Sequence, residues 1–523
     1  MTLWNTISTV SQQPFHAGVV IAAVTLLAAM IVGSFFRQFF TPPPSTSTTT
    51  SNTTTFASSH RRRWSLTSTT MGLGGFPAET NYPDPVIHAC LILPKCPTIH
   101  DVLTHVVPQI LEYRRMATIP FPRSRSDRPC GNLDPSKLVR RHEFHQDDHQ
   151  NDTLLYDIVK DHLHQPLSTG REDLPWWEIV ILDNTGTGNS CVLWRVHHCL
   201  ADGMSMVAMV ENFIKHVDGS PMESLVPTRM NNKFKVKKPW YQLTVELFQS
   251  VSKVITMPGS NYDHPTAFSK TSHKQMIHNQ QRNLVRFVDT PLDFVKNIKA
   301  AANVTINDVL FTCLSQAIHE YLIQEKCPLL KEHGTKLLCR SLMPIAFPQP
   351  THIRRDKEQA LRNNWCFIET DFFLGYNDIM DRLKLVHAQM MALKTSPLPL
   401  VQLTIQNTLP TILPLAFNRK IVFDTISRRS VVFSNVPGPT KPCLFANKEV
   451  VGVQMFYSNL VAQTGFISYR GQIFGNICLD PVGIQNCDSL SILYSQALVQ
   501  IAERLNVTIP DIVAKHANQP ISL

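Results

Sequence analysis

Apolar residues in this chain switch between the two-residue period of strands and the 3.6-residue period of helices in both halves. The two halves flank a Pro-, Lys- and Ser-dotted stretch at 219–285. In the first half, Val86 to Leu93 is strand-like and Ile99 to Arg115 helical. Cys191 to Val196 is a second β-rich run, and Met206, Val207, Val210, Phe213, Ile214 and Val217 follow it at helical spacing. The intervening stretch holds one helical pattern, Trp240 to Val254. In the second half, Pro291 to Ala302 is amphipathic, and Thr305-Ile306-Asn307-Asp308 forms a turn and cap ahead of a stripe from Val309 to Leu322. Strand-like runs at Ser430 to Asn435, Gly452 to Tyr457 and Gly465 to Leu479 precede a periodic helix from Leu490 to Leu505. Mixed elements in both halves predict an α/β (α+β) class in two units, 71–220 and 286–523, with a crossover at 221–285. A length of 523 residues agrees with more than one core.

Residues 1–70 read differently. Ala17 to Phe36 carries no charge and is long enough to cross a bilayer, and Thr41 to Ser59 is almost entirely Ser, Thr and Pro. No Lys or Arg precedes the apolar segment, whereas Arg37 and Arg61 to Arg63 follow it. This predicts a single-span anchor with the body on the cytosolic side. The acid-poor Ser/Thr stretch also fits an organelle transit peptide, and that alternative stays open. Asn-x-Thr sequons at Asn52, Asn151, Asn303 and Asn506 provide a test of topology.

The chain is 43% hydrophobic and 17% charged, which is globular composition. Its formal charge of +9 is spread without a basic run interleaved with aromatics, so no nucleic-acid partner is expected; a membrane surface is the expected anionic partner. Twelve cysteines without a CxxC pair suggest reduced, buried thiols. His142, His145, His149, His162 and His164 are irregularly spaced among acidic and amide residues, which favours a solvated loop over a metal site. There is no P-loop and no GxGxxG.

The chemistry gathers at His197-His198-Cys199-Leu200-Ala201-Asp202-Gly203, where a strand hands over to a helix. A histidine there can take a proton from an alcohol, since its unperturbed pKa of about 6.5 lies near working pH. Adjacent strand residues face opposite sides, so His197 and His198 cannot both aim at one atom.

HHxxxDG at His197–Gly203 with Met204-Ser205-Met206 resembles the signature of the wax ester synthase/diacylglycerol acyltransferase family. Supporting motifs follow the family's order. Leu174-Pro175-Trp176-Trp177-Glu178 is similar to its PLW-type segment, though with Leu-Pro-Trp-Trp in place of the usual order. Thr305 to Leu310 is similar to its ND motif, Leu342-Met343-Pro344 lies where a basic-strand motif is usual, and Ser434 to Pro439 resembles SNVPGP. The resemblance spans roughly residues 75–515. It implies a two-domain CoA-dependent acyltransferase (chloramphenicol acetyltransferase-like) fold with its active site between the domains.

The implied reaction passes an acyl group from acyl-CoA to diacylglycerol or a long-chain fatty alcohol, without an acyl-enzyme, cofactor or metal. His198 is the implied general base, His197 a supporting residue, and Asp202 a brace for the loop through an arginine. Gly203 gives room for substrate or simply starts a helix. Asn307, Asp308, Ser434 and Asn435 are candidate substrate-binding residues, with helix caps and a structural turn as the competing readings. A non-lipid acceptor, or a non-catalytic lipid-binding protein on the same fold, are the alternatives. The expected location is a single-pass protein of the endoplasmic reticulum, or else a plastid or other organelle.

Overall fold

In the computed structural model, residues 64–142, 159–183, 190–226, 238–269, 276–411 and 413–521 are described. The expected span at 17–36 and the histidines at 145 and 149 lie outside them. Among the described residues no helix is long and apolar enough to cross a membrane, and no His/Cys/Asp/Glu group could hold a metal ion.

The first half contains helix α1 (Leu66–Gly72), strands β1 (Val86–Leu93), β2 (Val139–Arg141), β3 (Trp177–Leu182) and β4 (Ser190–His197), and helices α2 (Gly203–Val210) and α3 (Trp240–Thr256). The second half opens with β5 (Asn283–Arg286), α4 (Leu292–Ala302) and α5 (Ile306–Gln324). It continues through β6 (Arg340–Ala346), β7 (Trp365–Asp371), α6 (Ile379–Thr395), α7 (Leu398–Thr408) and α8 (Leu415–Ser427). It closes with β8 (Val431–Val436), β9 (Gly452–Tyr457), β10 (Ala462–Tyr469), β11 (Gln472–Leu479) and α9 (Ser489–Arg504).

Two sheets organise these elements. One runs β9-β1-β4-β3-β2 and the other β7-β6-β8-β10-β11-β5. The ordered strand β9 therefore leaves its own half: it pairs antiparallel with β1, Ile87 opposite Tyr457 and Leu91 opposite Val453. On its other side β1 pairs with β4, Val86 opposite His197. The 286–523 unit thus gives a strand to the sheet that carries the histidines. In the second sheet β8 lies parallel to both β6 and β10. Helices α5 and α9 pack on it through Leu310, Leu314, Leu490 and Leu498, all buried.

Three sequence expectations need correction. Folded structure begins before Met71: Trp64 is buried beneath Arg115, whose guanidinium lies 5.0 Å from its ring, and α1 follows at once. The apolar pattern from Met206 to Val217 is not one helix, because α2 stops at Val210. Glu211 turns its carboxylate to the amides of Leu225 and Val226, and Lys215–His216 then form a short strand. The helical pattern from Ile99 to Arg115 breaks into separate helices at Ile99–His105 and Val107–Leu111, with Val106 between them and a proline at the start of the second.

Candidate active site

β4 delivers the histidines to its C-terminal edge, where they take opposite faces. His197 is buried against Trp176, with ring centroids 4.9 Å apart, and its Nδ1 accepts the amide of Cys199. Burial pushes its pKa down, against the pull of Asp84, whose carboxylate lies 4.0 Å from Nε2. It is absent from the cavity wall. His198 lines that wall instead.

The His198 ring is held by Asn363, which lies just before β7. The Asn363 Nδ2 donates to the His198 carbonyl at 2.7 Å and to Ser68 Oγ at 3.0 Å. A carbonyl can only accept, so the amide orientation is fixed and Oδ1 must face His198 Nδ1, 2.9 Å away. Oδ1 also accepts from Trp365 Nε1 at 3.1 Å. The proton of a neutral His198 is therefore on Nδ1, which leaves Nε2 with the lone pair. Burial lowers the His198 pKa, partly opposed by the nearby Asp202 charge and the Asn363 bond, and so favours the neutral imidazole.

Asp202 is the N-cap of α2. Its Oδ1 accepts from the amide of Ser205 at 2.7 Å and its Oδ2 from the amide of Asn364 at 2.8 Å. Its own amide donates to the Arg362 carbonyl at 3.0 Å. Among the described residues the carboxylate is held by backbone N–H groups from both halves, where the sequence reading expected an arginine. Arg115 holds the same loop through the carbonyls of Cys199 and Leu200. Behind the loop, Glu178 of the Leu-Pro-Trp-Trp-Glu segment pairs with Arg195, Arg140 and Arg171. Burial alone would raise the Glu178 pKa, but those guanidiniums, Arg195 foremost, hold it down to about 2.

His198, Asp202 and Gly203 open into a cavity of about 670 Å³ whose other walls come from both halves: Thr67 and Met71 on α1 and Val254 on α3 from the first, and Ser434 and Asn435 on β8, Trp365 and Phe367 on β7, and Tyr457 on β9 from the second. A second, almost wholly apolar cavity of about 150 Å³ lies between β1, α2 and the turn after β8. Gly203, Ile87, Val436 and Met455 line both. Gly203 does not adopt a positive φ, and a Cβ there would meet only Val436, at 3.9 Å. Open space between the two cavities is what the absent side chain provides.

Two distant motifs meet: Asn435 Nδ2 donates to Asn307 Oδ1 at 2.6 Å, tying β8 to the start of α5. Asn307 does not line the cavity itself. Asp308 is not part of the cavity wall either. Itself fully buried, it closes a capping box with Thr305 and pairs with the partly exposed His387 at 2.7 Å. Gly438 is required sterically, since a Cβ would come within 2.1 Å of the Ser468 carbonyl oxygen.

Comparison with known proteins bears on the family and the fold. The family models for the wax ester synthase/diacylglycerol acyltransferase catalytic domain and the WS/DGAT C-terminal domain match residues 97–310 and 363–502. The chain belongs to the wax ester synthase/diacylglycerol acyltransferase family. It is 23% identical to the O-acyltransferase WSD of Acinetobacter baylyi over 290 residues, 51% of this chain and 60% of that protein. It is 22% identical to the probable diacyglycerol O-acyltransferase tgs1 of Mycobacterium tuberculosis over 381 residues, 68% of this chain and 78% of that protein. A wax ester synthase/diacylglycerol acyltransferase from Marinobacter aquaeolei VT8 shares the fold, with a TM-score of 0.54 at 13% identity, covering 85% of this chain and all of that one. So does the first condensation domain of the calcium-dependent antibiotic synthetase, with a TM-score of 0.53 at 11% identity, covering 87% of this chain and 99% of that one. The fold is the two-domain α/β fold of these proteins. Asn363, the first residue of the matched C-terminal segment of this family member, has no counterpart among the motifs legible in the sequence.

Proposed function

We propose that this chain is an acyl-CoA-dependent O-acyltransferase that esterifies a lipid hydroxyl, turning diacylglycerol into triacylglycerol or a long-chain alcohol into wax ester. The observation that carries this reading is the His198 ring, held through Nδ1 by Asn363 and lining an apolar cavity built from both halves. His198 Nε2 takes the proton of the acceptor hydroxyl as its oxygen attacks the thioester carbonyl. The tetrahedral intermediate then expels the CoA thiolate, which takes the proton from the imidazolium. Ester and CoA-SH are the products, and no acyl group passes through the protein. Ser434 and Asn435, which line the cavity, hold the carbonyl oxygen or the acceptor in this reading, and the Asn307 bond to Asn435 supports it. The apolar walls favour a lipid acceptor over a polar one.

The uncharged segment at 17–36, with arginines only after it, supports a single-span anchor. An endoplasmic-reticulum membrane with the catalytic body in the cytosol is the matching location. Glycosylation of Asn151 or Asn303 in the native protein would overturn that topology.

Membranes carrying the protein, given labelled acyl-CoA with diacylglycerol or a long-chain alcohol, should form labelled neutral lipid. His198→Ala should lower the rate by about 10²–10⁴-fold. Tight acyl-CoA binding with no turnover by the wild-type protein would overturn the reading in favour of a lipid-binding protein.

A further inference from the structure

Helix α3 carries two apolar stripes, and only one is covered. Leu247, Val251 and Val254 pack with Leu398, Val401 and Ile405 of α7. Tyr241, Val245, Phe248 and Ile255 recur at helical spacing on a neighbouring face and stay exposed, with Trp240 at the helix start 80% exposed. A helix on a protein surface ordinarily turns a polar face to water, so an aromatic-rich second stripe marks an interaction surface.

What covers it is indicated by three observations. The stripe runs into the mouth of the large cavity, because Ile255 lines that cavity together with Val254 and Met257. Between Glu223 and Lys238, whose own charge is paired with Glu246, the sequence holds Arg229, Lys233, Lys235 and Lys237 and no acidic residue, a charge that complements anionic headgroups. The chain that carries the uncharged segment at 17–36 enters the described structure at α1, and α1 packs on α7, the helix beneath α3. Trp and Tyr beside apolar residues, with lysines just ahead, are the composition of an interfacial helix.

We propose that the Tyr241–Ile255 face of α3 docks on an anionic lipid surface, so that the cavity mouth opens against the bilayer and a lipid acceptor enters without crossing water. This rests on the reading of the site as one that takes a lipid acceptor.

The test uses the full chain bound to phosphatidylcholine/phosphatidylserine vesicles, with and without bromine on the acyl chains. Trp64, Trp176, Trp177, Trp194 and Trp365 are at most 8% exposed, so Trp240 is the described tryptophan positioned to report contact with lipid. Bromolipid quenching of the wild-type protein should exceed that of Trp240→Phe, the difference being the signal of Trp240 in the acyl region. Equal quenching overturns the proposal. A dimer that Phe248→Glu splits, with equal quenching, overturns it in favour of contact between two copies.

A second arm reads activity. Val245→Glu/Phe248→Glu should raise the apparent KM for vesicle-borne diacylglycerol at least about tenfold, leaving turnover of a dispersed short-chain alcohol unchanged. Unchanged KM for the vesicle-borne substrate overturns the proposal. Loss of quenching difference with normal acyl transfer defeats the docking face alone, whereas absent acyl transfer with intact Trp240 quenching defeats the enzymatic reading alone.

Discussion

Asn363 Oδ1 lies 2.9 Å from His198 Nδ1, and the same side-chain amide donates to the carbonyl of His198 itself. One residue from the second half thus sets both the position of the histidine backbone and the tautomer of its ring. Asn364, the next residue, donates its amide N–H to the Asp202 carboxylate. The histidine loop is completed by a short segment more than 160 residues away in sequence.

Asn363 is a positioning residue, and its variants should move the pH profile in opposite directions. Its Oδ1 stabilises the imidazolium, so Asn363→Ala should shift the acid limb of kcat/KM to lower pH, while Asn363→Asp, with a full charge at the same place, should shift it higher. Loss of the bond to the charged form should also cost Asn363→Ala about 10- to 100-fold in kcat. The wild-type acid limb should fall below pH 6.5, because burial lowers the His198 pKa. Variants that lose activity with an unmoved limb would show only a structural role.

Asp202 should matter for stability as well as for rate. Asp202→Ala removes an N-cap worth about 0.5–2 kcal/mol. It also removes the acceptor of the half-buried Asn364 amide, at roughly 1 kcal/mol. Asp202→Asn keeps one acceptor oxygen and should recover part of that loss. Denaturant midpoints measured beside kcat decide the matter. An Asp202→Ala protein of wild-type stability but no activity would mean that the carboxylate acts on the chemistry directly.

The elements were more legible than their assembly. The Val86–Leu93 and Gly452–Tyr457 strands coincide with their apolar runs, and the Thr305 cap with its polar turn. Nothing in the alternation of Gly452–Tyr457 tells which sheet it joins, since pairing is set by register against β1. The site was readable where a side chain carries its own chemistry, as His198 does. Asn363 was not, because an asparagine ahead of an apolar run looks like any turn residue, and its effect comes from tertiary contact. Asp202 was read as a brace, but its partners are amides, which have no residue-type signature. The Met206–Val217 pattern misled because Phe213 and Ile214 pack on the core from a turn, not from a continuing helix.

Gly203 should control chain-length preference. Its position on both cavities, with Val436 3.9 Å from a built Cβ, lets the protein fold with a larger residue there. A Val side chain would extend into the passage. The smaller cavity of about 150 Å³ matches a space that accepts a benzene-sized group, so closing it removes room for several methylenes. Gly203→Val should therefore lose long-chain substrates in competition with short-chain ones, and Gly203→Ala should do so weakly. A uniformly lower rate with an unchanged chain-length profile would contradict this.

Glu178 should set the acid limit of the fold. Arg195 is 1% exposed and depends on this carboxylate for its charge partner. The folded-state pKa of Glu178 is held down to about 2, against an unfolded value of 4.5. Stability from the ionised form is fully present above pH 4.5 and is lost as pH falls through the folded value, since the unfolded chain takes up the proton first. Glu178→Gln leaves Arg195 buried without a counter-charge and should cost about 3–5 kcal/mol at neutral pH. The same variant should flatten the stability curve between pH 4.5 and 2, since the group that titrated there is gone. Denaturant unfolding of both proteins across that range measures each effect, and an equally steep acid loss in Glu178→Gln would assign the transition to another carboxylate.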